Sequence, residues 1–423
     1  MTLSTAQIKK QFFAIASLRD LATFFDIKYQ SLTYIVYGLE DSKKYRSIKI
    51  PKRGTNKFRE INAPFGALKR IQRKLASILY LIHEPRKPCH GFSKKRDICS
   101  NARTHLRKKI ILNLDFENFF PSITLNRVIG LFKGGIFNFN NDVARALAKI
   151  CCYNNSLPQG APTSPVVSNF ICISLDNQLR ILAKDHGLVY TRYADDITFS
   201  SKHDNFPEDI CLLQDGKVCI GQALNTVIHN NSFIVNSAKN HISGKGSRQI
   251  VTGIIVNKRM NVRREYIRSV RAVLYKWEKY GEPYIVEDFS KRLTRDGNKT
   301  IYLKSHEEKR EIFTRCIIGR INFIGRVRGK HDLLYRKILN RFNRCRFPSR
   351  VDYEYNENQR QLSSILELIK THKETLQMLE IQKAKLGISA TTGILHGIND
   401  ANAEIIKLRM QEKELRVIIN GTV

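Results

Sequence analysis

The stretch Tyr193-Ala194-Asp195-Asp196 places two acidic residues side by side between two apolar runs. Residues 188–192 and 197–200 on its flanks are rich in β-branched and aromatic side chains, which predicts two strands joined by a tight turn. Adjacent carboxylates repel each other unless they share a cation. Two divalent metal ions bound in this way stabilise the attacking and leaving oxygens of a phosphoryl transfer. Taken alone, the same dipeptide also fits an ordinary solvated turn, where Asp is common.

A second apolar run, residues 110–116, is predicted to be a buried strand with Asp115 near its end. Burying a carboxylate there is costly unless it is paired or binds a metal. If this strand pairs with the hairpin in one sheet, Asp115 meets Asp195 and Asp196. Hard oxygen ligands suit Mg²⁺. The sequence therefore predicts a site for two Mg²⁺ ions, with Mn²⁺ as a substitute.

Composition and charge indicate what kind of partner the chain has. Its 423 residues carry a formal net charge of +34, far more than solubility requires, and leave room for two or three domains. Such an excess favours a polyanion, most simply nucleic acid. No apolar run reaches the roughly 20 residues of a membrane-spanning helix. We therefore expect no membrane association. The nine cysteines form no CxxC pair, so we also expect no zinc site and no disulfide framework.

Residues 351–423 differ in charge from the rest of the chain. They contain nine Lys and Arg against ten Asp and Glu, so residues 1–350 carry a net +35. Apolar residues recur at helical spacing on both sides of a glycine-containing break at residues 387–397, which predicts a helical hairpin. A near-neutral hairpin is a poor partner for RNA. We expect its apolar face to bind another protein or to pack on the preceding helices.

Two basic residues and one amide are candidates for binding a nucleotide. A β-hairpin predicted over residues 45–63 places Lys57 and Arg59 on one face. That face can bind a triphosphate through charge-assisted hydrogen bonds, or it can be an ordinary solvated strand face. Gln159 lies in a loop rich in proline and glycine, where its amide can bond an incoming nucleotide or a template backbone.

Phe120 is a candidate for choosing between sugars. It follows Asp115 by five residues, so a bulky ring is expected near the metal site. There the ring can block a ribose 2′-OH. The alternative is that Phe119 and Phe120 both belong to the core.

Basic residues that suit phosphate contacts cluster in two places. His105 lies among the Lys and Arg side chains of residues 94–109, where it can contact phosphate or play a structural role. A strongly basic helix is predicted over residues 262–280, and its cationic face suits a duplex backbone. The candidate contacts on this helix are Arg263, Arg264, Arg268 and Arg271.

At this point the motifs resemble those of a known family. Residues 113–122 resemble the first catalytic motif of reverse transcriptases, and residues 157–165 resemble their template- and nucleotide-contacting loop. Tyr193-Ala194-Asp195-Asp196 resembles their metal-binding hairpin, in the same order and at matching spacing. Asn101-Ala102-Arg103-Thr104-His105 is similar to an insertion of retron reverse transcriptases, and Val251-Thr252-Gly253 resembles their Val-Thr-Gly signature. The resemblance covers about residues 20–345.

The resemblance implies an RNA-directed DNA polymerase that uses Mg²⁺ and deoxynucleoside triphosphates. Asp115, Asp195 and Asp196 would be catalytic, Phe116 would join them in binding metal, and Asn101 and His105 would contact RNA. Retron enzymes bind a structured noncoding RNA, prime from a 2′-OH and leave a branched RNA–DNA hybrid (msDNA). They serve anti-phage defence in the bacterial cytoplasm, usually beside an effector protein.

The same resemblance implies a mixed α/β (α+β) fold of right-hand polymerase type, with fingers, palm and thumb, followed by the C-terminal α-helical hairpin. The expected parts are an N-terminal helical segment (1–45), fingers (46–110), palm (111–258, with a fingers insertion around 125–165), thumb (259–350) and hairpin (351–423).

Three alternatives remain at this stage. The chain could be an intron-encoded or diversity-generating reverse transcriptase, an RNA-dependent RNA polymerase, or a catalytically silent RNA-binding scaffold. RNA polymerases of this shape tend to carry Asp where this chain has Phe120, which favours deoxynucleotides. The three intact acids argue against a silent scaffold.

Overall fold

The computed structural model describes most of the chain in six stretches. These are residues 4–51, 58–214, 217–295, 304–347, 350–386 and 392–421. The chain divides into two compact units, Met1–Asn261 and Val262–Val423. All ten strands found in the described residues belong to the first unit, whereas the second is helical.

The strands of the first unit form one central sheet and three small hairpins. They are β1 (Tyr45–Pro51), β2 (Phe58–Pro64), β3 (Ile110–Asp115), β4 (Val189–Tyr193), β5 (Asp196–Ser201), β6 (Cys211–Gln214), β7 (Lys217–Ile220), β8 (His241–Gly244), β9 (Ile250–Val251) and β10 (Ile254–Ile255). The central sheet is antiparallel in the order β4-β5-β3-β8. The inner strands β3 and β5 have buried side chains on both faces of the sheet, and Leu112 and Phe199 are wholly buried.

The described residues of the first unit also form ten α-helices. They are α1 (Thr5–Phe13), α2 (Leu18–Phe25), α3 (Tyr29–Thr33), α4 (Gly66–Ile82), α5 (Ile98–Thr104), α6 (Leu125–Lys133), α7 (Asn141–Cys151), α8 (Ser164–Ile171), α9 (Ile173–Asp185) and α10 (Gln222–Asn230). Helix α4 is typical: Leu68, Leu75 and Leu79 are buried at helical spacing, whereas Arg70 and Arg73 on the opposite face are exposed. The predicted N-terminal helices are confirmed, and one large apolar core joins them to the helices behind the sheet.

The predicted β-hairpin is confirmed, with β1 and β2 paired from Tyr45↔Pro64 to Pro51↔Phe58. Lys57 and the predicted turn of this hairpin lie outside the described residues. The sequence of residues 249–256 predicts a pair of strands around Gly253, and the structure confirms it as β9 and β10.

The sequence pattern was wrong in detail at two places of the first unit. The sequence of residues 166–184 predicts one helix, whereas the structure has two, α8 and α9, which meet at Cys172. The hairpin of β6 and β7 was not predicted, because its short strands have no strict apolar alternation.

Five helices lie in the described residues of the second unit. They are α11 (Arg264–Arg295), α12 (His306–Arg328), α13 (Leu333–Arg346), α14 (Arg350–Leu386) and α15 (Thr392–Gly421). Helix α11 is kinked at Gly281, which has a φ of +79° and precedes Pro283, a residue with no N–H to donate to the helix. Its Trp277 packs edge-on against Phe313 and Phe342, with ring centroids 5.0 and 5.8 Å away.

Helices α14 and α15 form the predicted C-terminal hairpin and run antiparallel. Leu362 packs against Leu415 near one end, while Gly397 meets Leu379 nearer the other. The predicted break at residues 387–397 was too long, because α15 already begins at Thr392 and includes Gly397. A Cβ at Gly397 would lie 3.1 Å from Leu379 Cδ1, so glycine here allows close approach of the two helices.

The observed division of the chain bears on the predicted domains. The two units separate after Asn261, close to the predicted palm–thumb boundary at 258/259. The hairpin groups with α11–α13 in the second unit, so the five-part division stays a prediction. Among the helices in the described stretches, none combines the length and apolarity needed to cross a membrane.

Candidate active site

Strand register brings the three predicted carboxylates to one end of the central sheet. In the antiparallel pair β3–β5, Asp115 lies opposite Asp196, and the β4–β5 hairpin turns directly before it. The N–H of Phe116 donates to the carbonyl oxygen of Asp195 over 3.1 Å. This confirms the prediction that the strand ending in Asp115 meets the hairpin in one sheet.

The carboxyl groups of Asp195 and Asp196 have raised pKa values. Burial raises the pKa of Asp195, and the neighbouring Asp115 adds to this. Asp196 as a residue is exposed, but its carboxyl group has many protein atoms around it. This burial, followed by the charges of Asp195 and Asp115, raises the pKa of Asp196 to about 7. Such shifts mean that negative charge is unfavourable here unless a cation accompanies it.

Lys239, for which the sequence alone indicates no role, supplies one such cation. Its Nζ lies 2.6 Å from Asp115 Oδ2. The backbone holds this lysine near the site, because the N–H of Asn236 donates to the carbonyl oxygen of Asp115 over 2.8 Å and Lys239 follows in the same short turn. No local pattern marks a lysine that pairs with an acid 124 positions earlier.

The donor set fits divalent metal ions in its chemistry. Carboxylates are hard oxygen ligands, as Mg²⁺ prefers, and Phe116 can add only its carbonyl oxygen because a phenyl ring has no ligand atom. In the part of the chain that the structure describes, no three His, Cys, Asp or Glu side chains are already arranged as a metal site. The carboxylate of Asp115 instead has a cationic partner within the protein, the ammonium group of Lys239.

A cleft of about 590 Å³ opens beside the carboxylates. Three of the predicted nucleotide-binding residues line it together with Asp115 and Asp195; they are Arg59, Phe120 and Gln159. Lys57 lies outside the described residues. The backbone carbonyl of Gln159 accepts the N–H of Asn62 over 2.8 Å, so β2 holds the loop that carries this glutamine at the cleft.

The structure distinguishes Phe119 from Phe120. Phe119 is buried and stacks on Phe116 and Phe233, with centroid distances of 5.9 and 5.7 Å. Phe120 is half-buried and forms part of the cleft wall. Phe119 is therefore a core residue, as the alternative expected, whereas Phe120 packs against the core and is also open to the cleft.

The predicted RNA contacts at Asn101 and His105 are wrong for these side chains. Asn101 is 1% exposed and His105 is wholly buried. Both ring nitrogens of His105 are bonded within the fold, Nδ1 to Ser200 Oγ and Nε2 to Thr191 Oγ1, each over 2.7 Å. Burial, followed by the charge of Lys108, lowers the pKa of His105 to about 3. The imidazole is neutral and joins the end of α5 to β4 and β5.

The predicted arginines of the second unit are all exposed. They are Arg263, Arg264, Arg268 and Arg271. Arg264 begins α11, and Arg263 directly precedes it. Their exposure is what a contact with a phosphate backbone requires, but the contact itself stays a prediction.

The mixed α+β architecture and the three carboxylates at one end of an antiparallel sheet define a nucleic-acid polymerase fold. A profile of the reverse transcriptase (RNA-dependent DNA polymerase) family matches residues 50–255. The chain is also 34% identical over 269 residues to the retron Ec86 reverse transcriptase of Escherichia coli, covering 61% of this chain and 77% of that one.

Other retron relatives agree with this match. The retron Se72 reverse transcriptase of Salmonella heidelberg is 30% identical, over 63% of this chain and 69% of the relative. The retron Mx162 reverse transcriptase of Myxococcus xanthus is 33% identical, over 58% of this chain and 55% of the relative. The chain belongs to the bacterial retron reverse transcriptases and is an RNA-directed DNA polymerase.

One solved structure with some similarity is a telomerase from Candida albicans in complex with a fragment of telomeric RNA. The match has a TM-score of 0.35 and 11% identity, over 89% of this chain and 65% of that one. Similarity at this level bears on neither fold nor function.

Proposed function

We propose that this polymerase copies part of a structured noncoding RNA into DNA, priming from a 2′-OH of that RNA. The product is a branched RNA–DNA hybrid (msDNA) that serves anti-phage defence in the bacterial cytoplasm. The observation that carries the proposal is the meeting of Asp115, Asp195 and Asp196 at one end of the sheet, in a chain whose curated relatives are retron enzymes.

The family generally uses divalent metal ions. We propose two Mg²⁺ ions, replaceable by Mn²⁺, held by the three aspartates and the carbonyl oxygen of Phe116. When bound, the ions stabilise the charge that develops on a transferring phosphoryl group. Lys239 forms an ion pair with Asp115, one of these proposed ligands. Lys239 also lines the cleft, where its ammonium group could contact a bound phosphate.

The residues around the cleft would bind the incoming deoxynucleoside triphosphate. Arg59 is exposed and can bond phosphate, and Lys57 is expected to assist it from the same hairpin. Phe120 would exclude a ribose 2′-OH by its volume. The Gln159 amide, half-buried at the wall, would bond the nucleotide or the template backbone.

A second cavity, of about 620 Å³, offers a place for unpaired RNA close to the cleft. Its walls include the rings of Tyr80, Phe92 and Tyr193 and the exposed Lys94. Phe92 connects the two cavities, because its ring centroid lies 6.2 Å from that of Phe120. Aromatic faces beside a cation suit a stacked base and its phosphate. This surface replaces Asn101 and His105 as our candidate for RNA contact in the first unit.

The C-terminal hairpin is proposed to join two copies of the chain. On α15 the side chains of Ile406, Met410 and Val417 are 57%, 64% and 67% exposed, and their spacing puts them on one stripe of the helix. Two bodies that each carry +35 repel one another, whereas the hairpin is near neutral. Because this face carries little charge, it can meet a second copy without adding to that repulsion; we propose a second copy as the partner, with an effector protein as the alternative.

The test is to purify the chain from cells that carry its own genomic neighbourhood and to sequence the nucleic acid bound to it. We expect a single structured RNA with DNA joined to an internal 2′-OH. The Asp195→Asn variant should retain the RNA and lack the DNA, because one metal ligand is lost. Finding attached DNA with Asp195→Asn would refute the catalytic assignment. Diverse RNAs without a branch would instead favour an intron-encoded or diversity-generating enzyme.

Defence is tested separately by challenging cells with phages. Cells with the wild-type chain and its neighbouring genes should survive better than cells with Asp195→Asn. Equal survival over a broad phage panel would contradict a defence role but not the polymerase assignment.

A further inference from the structure

Arg192 is the largest wholly buried side chain in the described part of the chain, and it lies three residues before Asp195. Its Nε donates to Asp176 Oδ1 over 2.8 Å and its Nη2 to Asp176 Oδ2 over 2.7 Å. Asp176, on α9, is itself 1% exposed. Burial alone would lower the pKa of Arg192, but the carboxylate of Asp176 raises it, so the guanidinium is charged. A buried pair of this kind contributes little net stability relative to apolar residues of similar volume.

The remaining donors of Arg192 reach the catalytic turn and its support. Nη1 donates to the carbonyl oxygen of Ala194 over 3.2 Å, and Nη2 donates to Asn169 Oδ1 over 3.3 Å. Asn169 in turn donates to the carbonyl oxygen of Gly91 over 3.0 Å. One planar guanidinium thus joins α9, α8 and the turn that carries Asp195. A lysine, with a single nitrogen, cannot make all of these bonds.

The backbone of the same turn is held on its other side by the loop at residues 88–92. The N–H of Arg192 donates to Pro88 over 2.9 Å, and the N–H of His90 donates back to Arg192 over 2.8 Å. A Cβ at Gly91 would lie 2.3 Å from the nitrogen of Ala194, so only glycine fits. Ala194 has a φ of +59°, in the left-handed region that a residue with a Cβ adopts at a cost. The surrounding contacts must therefore hold this turn in place.

We propose that Arg192 is a positioning residue of the polymerase: by bonding the carbonyl oxygen of Ala194 it fixes the turn and so places the Asp195 carboxylate for metal binding. The inference rests on the proposed metal site. The Arg192 side chain has no role in the chemistry, because it is wholly enclosed by protein. Its effect passes through the backbone between Ala194 and Asp195.

The test compares two conservative changes in one buried network. Arg192→Lys retains a positive charge opposite Asp176 but loses the fork that also reaches Ala194. Tyr190→Phe is the matched control, because the Tyr190 hydroxyl donates to the same Asp176 Oδ1 over 2.8 Å and no described hydrogen bond of its side chain reaches the turn. The probe is Mn²⁺ alone, bound to the full-length protein and followed by electron paramagnetic resonance.

We expect Arg192→Lys to weaken Mn²⁺ binding by roughly tenfold or more, as losing an outer-shell partner does in other metal sites. The Mg²⁺ concentration that gives half-maximal extension of a DNA primer on an RNA template should rise in parallel. Activity should recover at saturating Mg²⁺. Tyr190→Phe should stay within about twofold of wild type in both measurements, because it leaves the ligand-orienting bond to Ala194 intact. Wild-type Mn²⁺ binding in Arg192→Lys, or an equal loss in Tyr190→Phe, would overturn the inference.

Two further variants keep the outcomes distinct. If Arg192→Lys does not fold, Gly91→Ala is the second variant. It disturbs the same turn from the opposite side and leaves the ion pair of Arg192 with Asp176 in place. Wild-type Mn²⁺ binding by Gly91→Ala would also overturn the inference. Asp195→Asn reports on the proposed metal site itself. Unchanged Mn²⁺ binding in Asp195→Asn would refute that site. If Asp195→Asn loses Mn²⁺ binding while Arg192→Lys binds Mn²⁺ as the wild type does, only the role of Arg192 is refuted.

Discussion

At the scale of single residues, Phe119 and Phe120 show how neighbouring identical side chains acquire different roles. Phe119 is 4% exposed and belongs to a stack with Phe116 and Phe233. Phe120 leaves that stack and reaches the cleft wall near Asp115. The backbone reverses between strand β3 and helix α6, and Asn118 within that reversal has a φ of +47°. Both residues line the cleft, but the half-buried Phe120 is more accessible to a bound sugar than the buried Phe119.

Replacing Phe120 with Ala should relax the choice of sugar. Loss of a ring at the cleft wall makes room for a 2′-OH, so incorporation of ribonucleotides relative to deoxynucleotides should rise by about tenfold or more. The measurement is the ratio of kcat/KM for the two triphosphates in single-nucleotide extension. Phe119→Leu is the control, because it alters the buried stack and should leave the ratio unchanged. An unaltered ratio in Phe120→Ala would mean that the ring only packs.

His105 makes a second prediction at this scale, through its pKa of about 3. An unfolded histidine titrates near 6.5, so between these values the unfolded chain binds a proton that the folded chain excludes. The stability contributed by neutral His105 is complete above about pH 6.5 and is lost as the pH falls toward 3, at about 1.4 kcal/mol per pH unit. His105→Gln should reduce the pH slope of unfolding free energy by this amount between pH 4 and 6.

The measurement is denaturant unfolding of the full chain at several pH values, followed by far-ultraviolet circular dichroism. Asp196 has a raised pKa and titrates in the opposite sense, so its folded form gains stability as the pH falls. Both proteins contain Asp196, and its contribution cancels in the difference. Parallel pH profiles for wild type and His105→Gln would show that a charged imidazole is tolerated in the fold.

At the scale of elements, local sequence patterns predicted most helices and strands. They did not predict the contacts between residues that are distant in sequence. The adjacent Asp195 and Asp196 stand in a strand–turn–strand pattern, and Asp115 ends an apolar strand, so both signals are visible within about ten residues. Lys239 and Arg192 carry no such signal. Their partners, Asp115 and Asp176, are set by how β3 and α9 pack in the folded chain. The same reason explains the error at His105, whose burial depends on two strands that follow it by many residues.

The apolar stripe of α15 makes a prediction at the element scale. Ile406→Gln combined with Val417→Gln should leave the hairpin folded, because the buried contacts of α15 use other residues such as Ile405 and Leu415. Self-association of the full chain, measured by sedimentation equilibrium in high salt, should be lost. Met378→Gln is the matched control, since Met378 is 68% exposed but lies on α14. A monomeric wild-type protein would contradict the proposed dimer and leave an effector as the partner.

At the scale of the whole molecule, charge is separated along the chain. Residues 1–350 carry a net +35, while residues 351–423 are near neutral. Each phosphate that a cation neutralises releases counterions, so binding of the copurified RNA should weaken steeply with salt. The separation allows a test of where the RNA lies, because the same change of charge can be made in either part.

Reversing charge at Arg263 and Arg268 should lower the slope of log affinity against log salt by about two, one for each lost phosphate contact. Both side chains are exposed at the start of the basic helix α11. The control reverses Lys383 and Lys385 at the end of α14, which changes the net charge equally within the neutral hairpin. If net charge alone governed binding, both pairs would alter the slope equally. An unchanged slope in Arg263→Glu with Arg268→Glu would exclude phosphate contacts at these positions.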